Sequence, residues 1–326
     1  MEKKNRICAY KGDPVVPGVN KKKNGINFAV EVPGDTEASL VLYRKGAEEP
    51  ETELPFTEEY RTGRMCAMLV TGLRLERYEY NFRIDGKIVQ DPFACVIRGR
   101  EKFGAPLSKD EHEVRCAFLS EKEYDWEGDT APEIPYSEML LYKIHVRGYT
   151  RQAKLALRKR GTFAGLTEMI PYWKELGINA VELMPAYEFQ ECVQADHAVN
   201  LAVRKKSDDR INYWGYTRGF YFAPKESYCA TKEPDREFRD MIRALHKAGI
   251  ECIMEMYFPK GTPSLQMIRS LWFWKLYYHV DGFHLLGDGV QQDVIERDPI
   301  LYGTKKLFSN VSGEADAENM LAEYNA

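Results

Sequence analysis

The sequence predicts a β-sandwich followed by an α/β barrel of the (β/α)8 type, and three features of its pattern predict this succession. Residues 25–118 contain short, β-branched runs of alternating polarity, such as GINFAVEV, which is typical of antiparallel strands. From residue 138 apolar runs alternate with helical runs, which indicates a parallel sheet with covered faces. A polar segment with two prolines lies between them. We therefore assign a sandwich to 1–118, a linker to 119–137 and a barrel to 138–326.

Turn residues separate the predicted strands of the sandwich. They are Pro33-Gly34-Asp35, Thr62-Gly63 and Asp85-Gly86. The last pair stands inside YNFRIDGKIVQ, and an Asp-Gly pair between two alternating runs is a strong hairpin signal. The N-terminal region is therefore expected to be a small antiparallel sandwich.

The second domain alternates strands and helices. Strands are predicted in MLLYKIHVRG, which we expect to be buried, and in INAVELMPA, IECIMEMYF, VDGFHLLG and GTKKLFSNV. Helices are predicted in AGLTEMIPYWKELG, DREFRDMIRALHKAG and SLQMIRSLWFWKLYYH. The apolar face of the first helix would comprise Leu166, Ile170, Trp173 and Leu176, and that of the second Phe238, Met241, Ile242 and Leu245. The count of five or six strands predicts an incomplete barrel, with any chemistry at the C-terminal strand ends.

Composition excludes several classes of function. A net charge of −4 and a pI near 6.0 do not favour binding to nucleic acid or to an anionic membrane. We find no run of about 18 apolar residues and no secretory signal. Seven cysteines without a CxxC pair predict free thiols in a reducing cytoplasm. They are Cys8, Cys66, Cys95, Cys116, Cys192, Cys229 and Cys252. We predict no cofactor and no metal site, because no Cys or His cluster is present.

Several stretches in the same order along the chain resemble one family over nearly its whole length. They are YKIHVRGYT, GTFAGLTEMIPYWKELGINAVELMPAYEF, NYWGYTRGFYFAPKESY and EFRDMIRALHKAGIECIMEMYF. Together they resemble the debranching branch of the α-amylase superfamily (glycoside hydrolase family 13), which includes isoamylase, pullulanase and glycogen debranching enzyme. NGINFAVEVPG and YEYNFRIDGKIVQDPFA are similar to the starch-binding-like, immunoglobulin-type sandwich that precedes the barrel in that branch.

The resemblance implies a retaining mechanism with one carboxylate as nucleophile and a second as general acid. Where the family has Gly-Phe-Arg-x-Asp, this chain has GFHLL, so that Leu286 stands at the nucleophile position and His284 at the arginine position. Ser309, or a neighbour, takes the place of the general acid, and Lys260 takes that of a substrate-contacting histidine. The final family motif would lie beyond residue 326. Glu255 is left as a lone carboxylate, so we predict no catalytic residue.

One substrate-binding element of the family is retained. In NYWGY, Tyr216 matches the aromatic residue on which a sugar ring stacks. Asn212, Tyr213 and Trp214 belong to the same predicted βα loop at the C-terminal face. The resemblance therefore implies a glucan-binding site formed by these four residues.

Two functions stay open at this point. The first is a cytoplasmic pseudoenzyme of α-glucan metabolism that binds glycogen, starch or a maltooligosaccharide, or that assists an active debranching or branching enzyme. The second is an active retaining α-1,6-glucosidase, completed by misaligned or unseen residues. A degenerate product without function is a third interpretation. An open barrel edge would require an oligomer or an enzyme partner to cover it.

Overall fold

The computed structural model of the protein describes residues 6–105, 110–191 and 211–309. The chain forms two compact units. The first comprises Met1–Arg100 and Ser108–Glu123, and the second comprises Glu101–Leu107 and Tyr124–Ala326. The domain bounds at 118 and 138 stay a prediction.

The first unit is built from eleven described strands. They are β1 (Cys8–Lys11), β2 (Gly18–Lys22), β3 (Gly25–Glu31), β4 (Ala38–Arg44), β5 (Pro50–Pro55), β6 (Arg61–Thr62), β7 (Met65–Thr71), β8 (Tyr78–Ile84), β9 (Lys87–Val89), β10 (Val96–Arg98) and β11 (Arg115–Ala117). One sheet has the order β1-β7-β3-β2 with β6 beside β7, and the other has the order β10-β11-β8-β4-β5 with β9 beside β8. All described pairings within these two sheets are antiparallel.

Aromatic residues join the two sheets of the first unit. Phe28 of β3 packs edge-on against Tyr80 of β8, with ring centroids 5.3 Å apart. The Tyr80 hydroxyl donates to Asp91 at 2.9 Å, which satisfies its polar atom inside the core. The predicted hairpin is confirmed, because β8 pairs with β9 and Asp85 and Gly86 both have positive φ angles. The immunoglobulin-type topology stays a prediction.

The second unit alternates strands and helices. Its elements are β12 (Leu141–Ile144), α1 (Val146–Thr150), α2 (Phe163–Thr167), α3 (Ile170–Glu175), β13 (Ala180–Leu183), β14 (Tyr187–Phe189), β15 (Gly219–Pro224), α4 (Pro234–Lys247), β16 (Glu251–Tyr257), α5 (Ser264–Tyr278), β17 (Gly282–Leu286), α6 (Gln292–Glu296) and β18 (Lys305–Ser309). The strands β14 and β15 form a separate antiparallel pair.

A five-stranded parallel sheet is the centre of the second unit. Its order, β12-β13-β16-β17-β18, follows the chain without a reversal. A doubly wound sheet would reverse direction at a switch point, whereas a (β/α) barrel is wound in one direction. Over the described residues the sheet is open, so its closure into an eight-stranded barrel stays a prediction.

The first predicted helix of this unit is broken into α2 and α3. Pro171, at the start of α3, lacks the N–H that a continuous helix would use and clashes with the preceding turn. Leu166 and Trp173 are buried as predicted. The prediction for Leu176 was wrong: α3 ends at Glu175, and Leu176, which follows it as the C-cap, is 47% exposed.

The first strand of the sheet differs from its prediction as a buried strand. β12 pairs only with β13 among the described strands, and its residue Tyr142 is 36% exposed. An edge strand is covered on one side only, so its apolar composition does not ensure burial.

The other two helices match their predictions. The predicted apolar face of α4 is buried and comprises Phe238, Met241, Ile242 and Leu245. Helix α5 buries Trp274, whose indole N–H donates a hydrogen bond of 2.6 Å to the Tyr221 carbonyl of β15. Among the described residues, no helix combines the length and apolarity needed to cross a bilayer. The six described cysteines are free thiols; Cys192 lies outside the described residues.

A buried histidine ties helix α4 to the N-terminal end of the sheet. His246 Nδ1 lies 3.0 Å from both carboxylate oxygens of Asp129, and Nε2 lies 3.0 Å from Asp281. Asp281 also accepts the Cys252 N–H at 2.7 Å. Burial lowers the pKa of His246, but the hydrogen bonds and charges of Asp281 and Asp129 outweigh it and raise the pKa above 6.5. Folding therefore favours the protonated form of His246.

This arrangement predicts a stability that depends on pH. Replacing His246 by Gln leaves two buried carboxylates without their cation and should lower the free energy of unfolding by about 3 kcal/mol. A group whose pKa is raised on folding stabilises fully below its unfolded pKa, and this contribution is lost as pH rises through the folded pKa. In urea titrations the difference between wild type and H246Q should therefore be largest below about pH 6 and shrink as the pH rises through the raised pKa of His246.

The matched control is H279Q. His279 also contacts Asp129, at 2.9 Å, but its side chain is 33% exposed. We expect H279Q to cost less than about 1 kcal/mol. If the free energy of unfolding of wild type exceeded that of H246Q by an amount that grew with pH, the assignment of a raised His246 pKa would be contradicted.

Candidate functional site

One face of the parallel sheet carries an ionisable residue on each of its first four strands: Lys143, Glu182, Glu255 and His284. We call these four residues the charged cluster. Lys143 is in register with Glu182, and Glu255 with His284. Glu182 is in register with Ile253, two residues before Glu255. Because side chains alternate with a period of two along a strand, all four share one face.

The members of the charged cluster contact one another directly. The Lys143 ammonium forms an ion pair with Glu255 and lies 3.5 Å from Glu182 Oε1. His284 Nδ1 lies 2.8 Å from Glu182 Oε1 and 3.6 Å from Glu255 Oε1. The two glutamates are only 3% and 0% exposed. Buried carboxylates are stable when they are paired and hydrogen-bonded, and here Lys143 and His284 are the partners.

The two carboxyl groups differ in protonation. Burial raises the pKa of Glu255 to about 8. The charge of Lys143 acts to lower this pKa, whereas the hydrogen bond and charge of Glu182 act to raise it. Burial also acts to raise the pKa of Glu182, but hydrogen bonds from His284 and Glu255 bring it to about 2. Near neutral pH the pair therefore shares one proton, which is held by Glu255.

An apolar layer lies on the C-terminal side of the charged cluster. Two residues further along three of the strands stand Met184, Tyr257 and Leu286, which place their side chains on the same face. They pack with Tyr216 into a buried cluster, against which Trp214 also packs. We call Met184, Tyr216, Tyr257 and Leu286 the apolar layer. It lies between the buried carboxyl groups and the C-terminal ends of the strands.

The structure brings three of the predicted motif positions together. Leu286 is 2% exposed and is in register with Ser309 on β18. The Ser309 hydroxyl lies 2.6 Å from His284 Nε2. Lys260 is separate from them, exposed in the turn between β16 and α5.

The loop before β15 carries the predicted glucan-binding residues. Asn212 accepts the Gly215 N–H at 3.0 Å through its side chain, which fixes the turn. Tyr213 and Trp214 are partly exposed and pack at 5.1 Å between ring centroids. Tyr216 is 5% exposed, so that its ring belongs to the apolar layer, and its hydroxyl donates to Glu255 Oε2 at 2.8 Å. Their role in glucan binding stays a prediction.

His145 holds this loop against the first strand. Its ring stacks on Tyr213 at 4.4 Å, and Nε2 donates to the Tyr213 carbonyl at 2.9 Å. Nδ1 accepts the Gly148 N–H at 2.9 Å and caps α1. Burial lowers the pKa of His145 to about 4, so the ring is neutral and has the tautomer that this donor and acceptor pattern requires.

Sequence reasoning missed two members of the charged cluster and misjudged a third. Lys143 and Glu182 were not singled out, and the expectation that Glu255 is a lone carboxylate was wrong, because β13 places Glu182 beside it. The available signal was one ionisable residue in each of several otherwise apolar strands. Such residues are rarely buried unless they are paired.

The charged cluster also has donor atoms of the types that bind metals. Single atoms of Glu182, Glu255 and His284 lie within 4.8 Å of one another. The Lys143 ammonium, however, already contacts both carboxyl groups. A divalent ion would have to displace this half-buried cation from its partners, and we assign no metal to these residues.

Comparison with known proteins gives related sequences and a related fold, although no protein-family model matches the chain. It is 30% identical over 282 residues to chloroplastic isoamylase 1 of Arabidopsis thaliana, across 78% of this chain and 35% of that protein. It is 31% identical over 281 residues to the glycogen operon protein GlgX homolog of Haemophilus influenzae, across 78% of this chain and 40% of that protein. The chain thus spans well under half the length of these relatives.

A solved structure shows a similar fold. The catalytic module of SpuA, a multi-modular glycogen-degrading pneumococcal virulence factor, has a TM-score of 0.66 at 20% sequence identity. The likeness covers 92% of this chain and 51% of that one.

The proton that Glu182 and Glu255 share predicts a second way in which the free energy of unfolding depends on pH. A carboxyl group whose pKa rises from 4.5 to about 8 on folding stabilises the fold at low pH and loses this contribution as pH rises. The free energy of unfolding of wild type, relative to E255Q, should fall by roughly 2–4 kcal/mol between about pH 4.5 and about pH 8. Urea titrations across this range measure it.

The control is E168Q, which removes an exposed carboxylate on the surface of the same unit. E168Q should follow the pH profile of wild type. If the free energy of unfolding depended on pH in the same way in wild type and in E255Q, Glu255 would ionise normally, and the assignment of a raised Glu255 pKa would be contradicted.

Proposed function

We propose a function from one premise: this chain belongs to the debranching branch of the α-amylase superfamily. Its role is to bind α-glucan, such as glycogen, starch or a maltooligosaccharide, in cytoplasmic storage metabolism without cleaving it. The observation that carries this proposal is the burial of Leu286 in the apolar layer at the position of the family's nucleophile.

The chemical argument concerns what a retaining glycosidase requires. One carboxylate must attack the anomeric carbon while a protonated acid, about 5 Å away, donates to the leaving oxygen. Leu286 has only a hydrocarbon side chain, and the hydroxyl of Ser309 is too weak an acid to replace a carboxyl group. In other covalent catalysts the loss of the nucleophile costs on the order of 10⁴–10⁶ in kcat.

One observation favours the alternative of an active α-1,6-glucosidase. Glu182 and Glu255 have carboxylate oxygens within 4.8 Å of each other and pKa values that are pushed apart, as in an acid and nucleophile pair. Both groups are buried, however, and both are paired with Lys143. A sugar would have to displace the apolar layer to reach them, so we favour the inactive form.

Support for glucan binding comes from the loop at the C-terminal face. Tyr213 and Trp214 keep part of their aromatic surface exposed, and aromatic side chains provide large, rigid contact areas at small entropic cost. The names of the related proteins refer to glycogen. An active debranching or branching enzyme, or a second copy of the chain, would cover the edge strands β12 and β18 in this proposal.

The proposal predicts binding without hydrolysis. In native gels that contain glycogen, wild type should be retarded, and W214A should bind about tenfold more weakly, because one stacking surface is lost. The control Y302A removes a fully separate aromatic side chain that is 85% exposed and should behave as wild type. Neither protein should release reducing ends from glycogen or pullulan.

The outcomes separate the interpretations. Release of reducing ends by wild type would establish the active glucosidase in place of our proposal. Unretarded migration of wild type would refute glucan binding.

Restoring the family carboxylate provides a further test. We expect L286D to remain inactive and to lower the free energy of unfolding by several kcal/mol, about 3 or more, because it places an unpaired charge in the apolar layer. L286M, which keeps an apolar side chain of similar volume, should cost less than about 1.5 kcal/mol. Thermal unfolding and the reducing-end assay measure both effects, and an active L286D variant would show that the apolar layer does not seal the site.

A further inference from the structure

Three residues on one face of the parallel sheet form a continuous hydrogen-bonded relay. Ser309 Oγ lies 2.6 Å from His284 Nε2, and His284 Nδ1 lies 2.8 Å from Glu182 Oε1. The two ring nitrogens therefore face a hydroxyl on one side and a carboxylate on the other. This is the arrangement of a nucleophile, its base and the group that orients the base.

The protonation state of Glu182 determines which atoms donate and which accept in these hydrogen bonds. Its pKa is lowered to about 2, so that it is a carboxylate at neutral pH and accepts a hydrogen bond from the Nδ1–H of His284. In its neutral form the ring then has its lone pair on Nε2, because a neutral imidazole has one donor and one acceptor nitrogen. In that form Ser309 donates its hydroxyl hydrogen to Nε2, and this is the proton that a base removes when serine attacks.

The serine end of the relay is accessible to solvent, and the carboxylate end is buried. Ser309 is partly exposed, and the His284 side chain is 13% exposed, whereas Glu182 is buried. A buried carboxylate keeps its charge interaction with the ring strong, because little water screens it. The strands β13, β17 and β18 fix the three groups by their backbone pairing.

We propose that Ser309 is an activated nucleophile that accepts acyl groups from small activated esters, with His284 as its general base and Glu182 as a positioning residue. Ser309 Oγ bonds to the ester carbonyl carbon, and its proton passes to His284 Nε2. The bond to the leaving alcohol then breaks, and His284 returns the proton to that oxygen. Water repeats the sequence on the acyl-serine, releases the acid and restores the serine hydroxyl.

This activity is separate from the proposed glucan binding and does not rest on it. The inference concerns the activation of the nucleophile and assigns no donors to the developing oxyanion. Each such donor contributes about 10²–10³ to kcat where it is present. We therefore expect ready acylation by a reactive probe and slow turnover of an ester.

A fluorophosphonate probe tests the proposal, because it reacts with activated serine and its adduct is stable. Intact mass should show one adduct on wild type, and peptide mapping should place it on Ser309. S309A should lose the adduct, and H284Q should react at least about tenfold more slowly. S264A, which removes a serine hydroxyl that contacts Gln291, should label as wild type. Circular dichroism and melting curves verify that each variant is folded.

A second readout isolates the role of Glu182. E182Q should label at least about tenfold more slowly than wild type, because an amide does not stabilise the imidazolium that forms when His284 takes the serine proton. E182D, which keeps the carboxylate, should restore part of the rate. An unlabelled wild type, an adduct that persists in S309A, or an E182Q variant that labels at the wild-type rate would overturn the proposal. Glycogen retardation in gels is independent of each of these results.

Discussion

The ion pairs among Lys143, Glu182, Glu255 and His284 are the constraint on which the second unit depends. Each residue lies within a different, largely apolar strand, and each carboxyl group is buried. Four strands must therefore keep their mutual register for the charges to be paired, since a shift by one residue would move an ionisable side chain to the opposite face. Buried ion pairs often add little net stability, but here they specify one alignment of the sheet.

The apolar layer follows from the same register. Because side chains alternate, the residues two positions beyond the charged cluster must share its face, and these are Met184, Tyr257 and Leu286. An apolar residue at position 286 is compatible with the buried carboxyl groups beneath it, since it adds no further negative charge. Leu286 thus contributes to the packing of the apolar layer, and it also leaves the position of the family's nucleophile without a carboxylate. The chemistry that is left to this face is that of Ser309 and the aromatic loop.

Prediction from the sequence succeeded where the signal is local. The Asp85-Gly86 hairpin and the amphipathic helix α4 depend on residues a few positions apart, and both were confirmed. The interruption at Pro171 was also a local signal, which the apolar periodicity of that segment obscured. The charged cluster was missed because its members lie far apart in the chain, and only the strand register brings Lys143 to Glu182.

Trapping of a covalent intermediate tests the central claim most directly, namely that this face of the sheet offers no carboxylate to a sugar. The folded protein is incubated with a mechanism-based glucosyl fluoride, and its intact mass is measured. We predict an unchanged mass, because Leu286 cannot form an ester and the two glutamates lie beneath the apolar layer. A glucosyl ester on any Asp or Glu, above all on Glu182 or Glu255, would contradict the account.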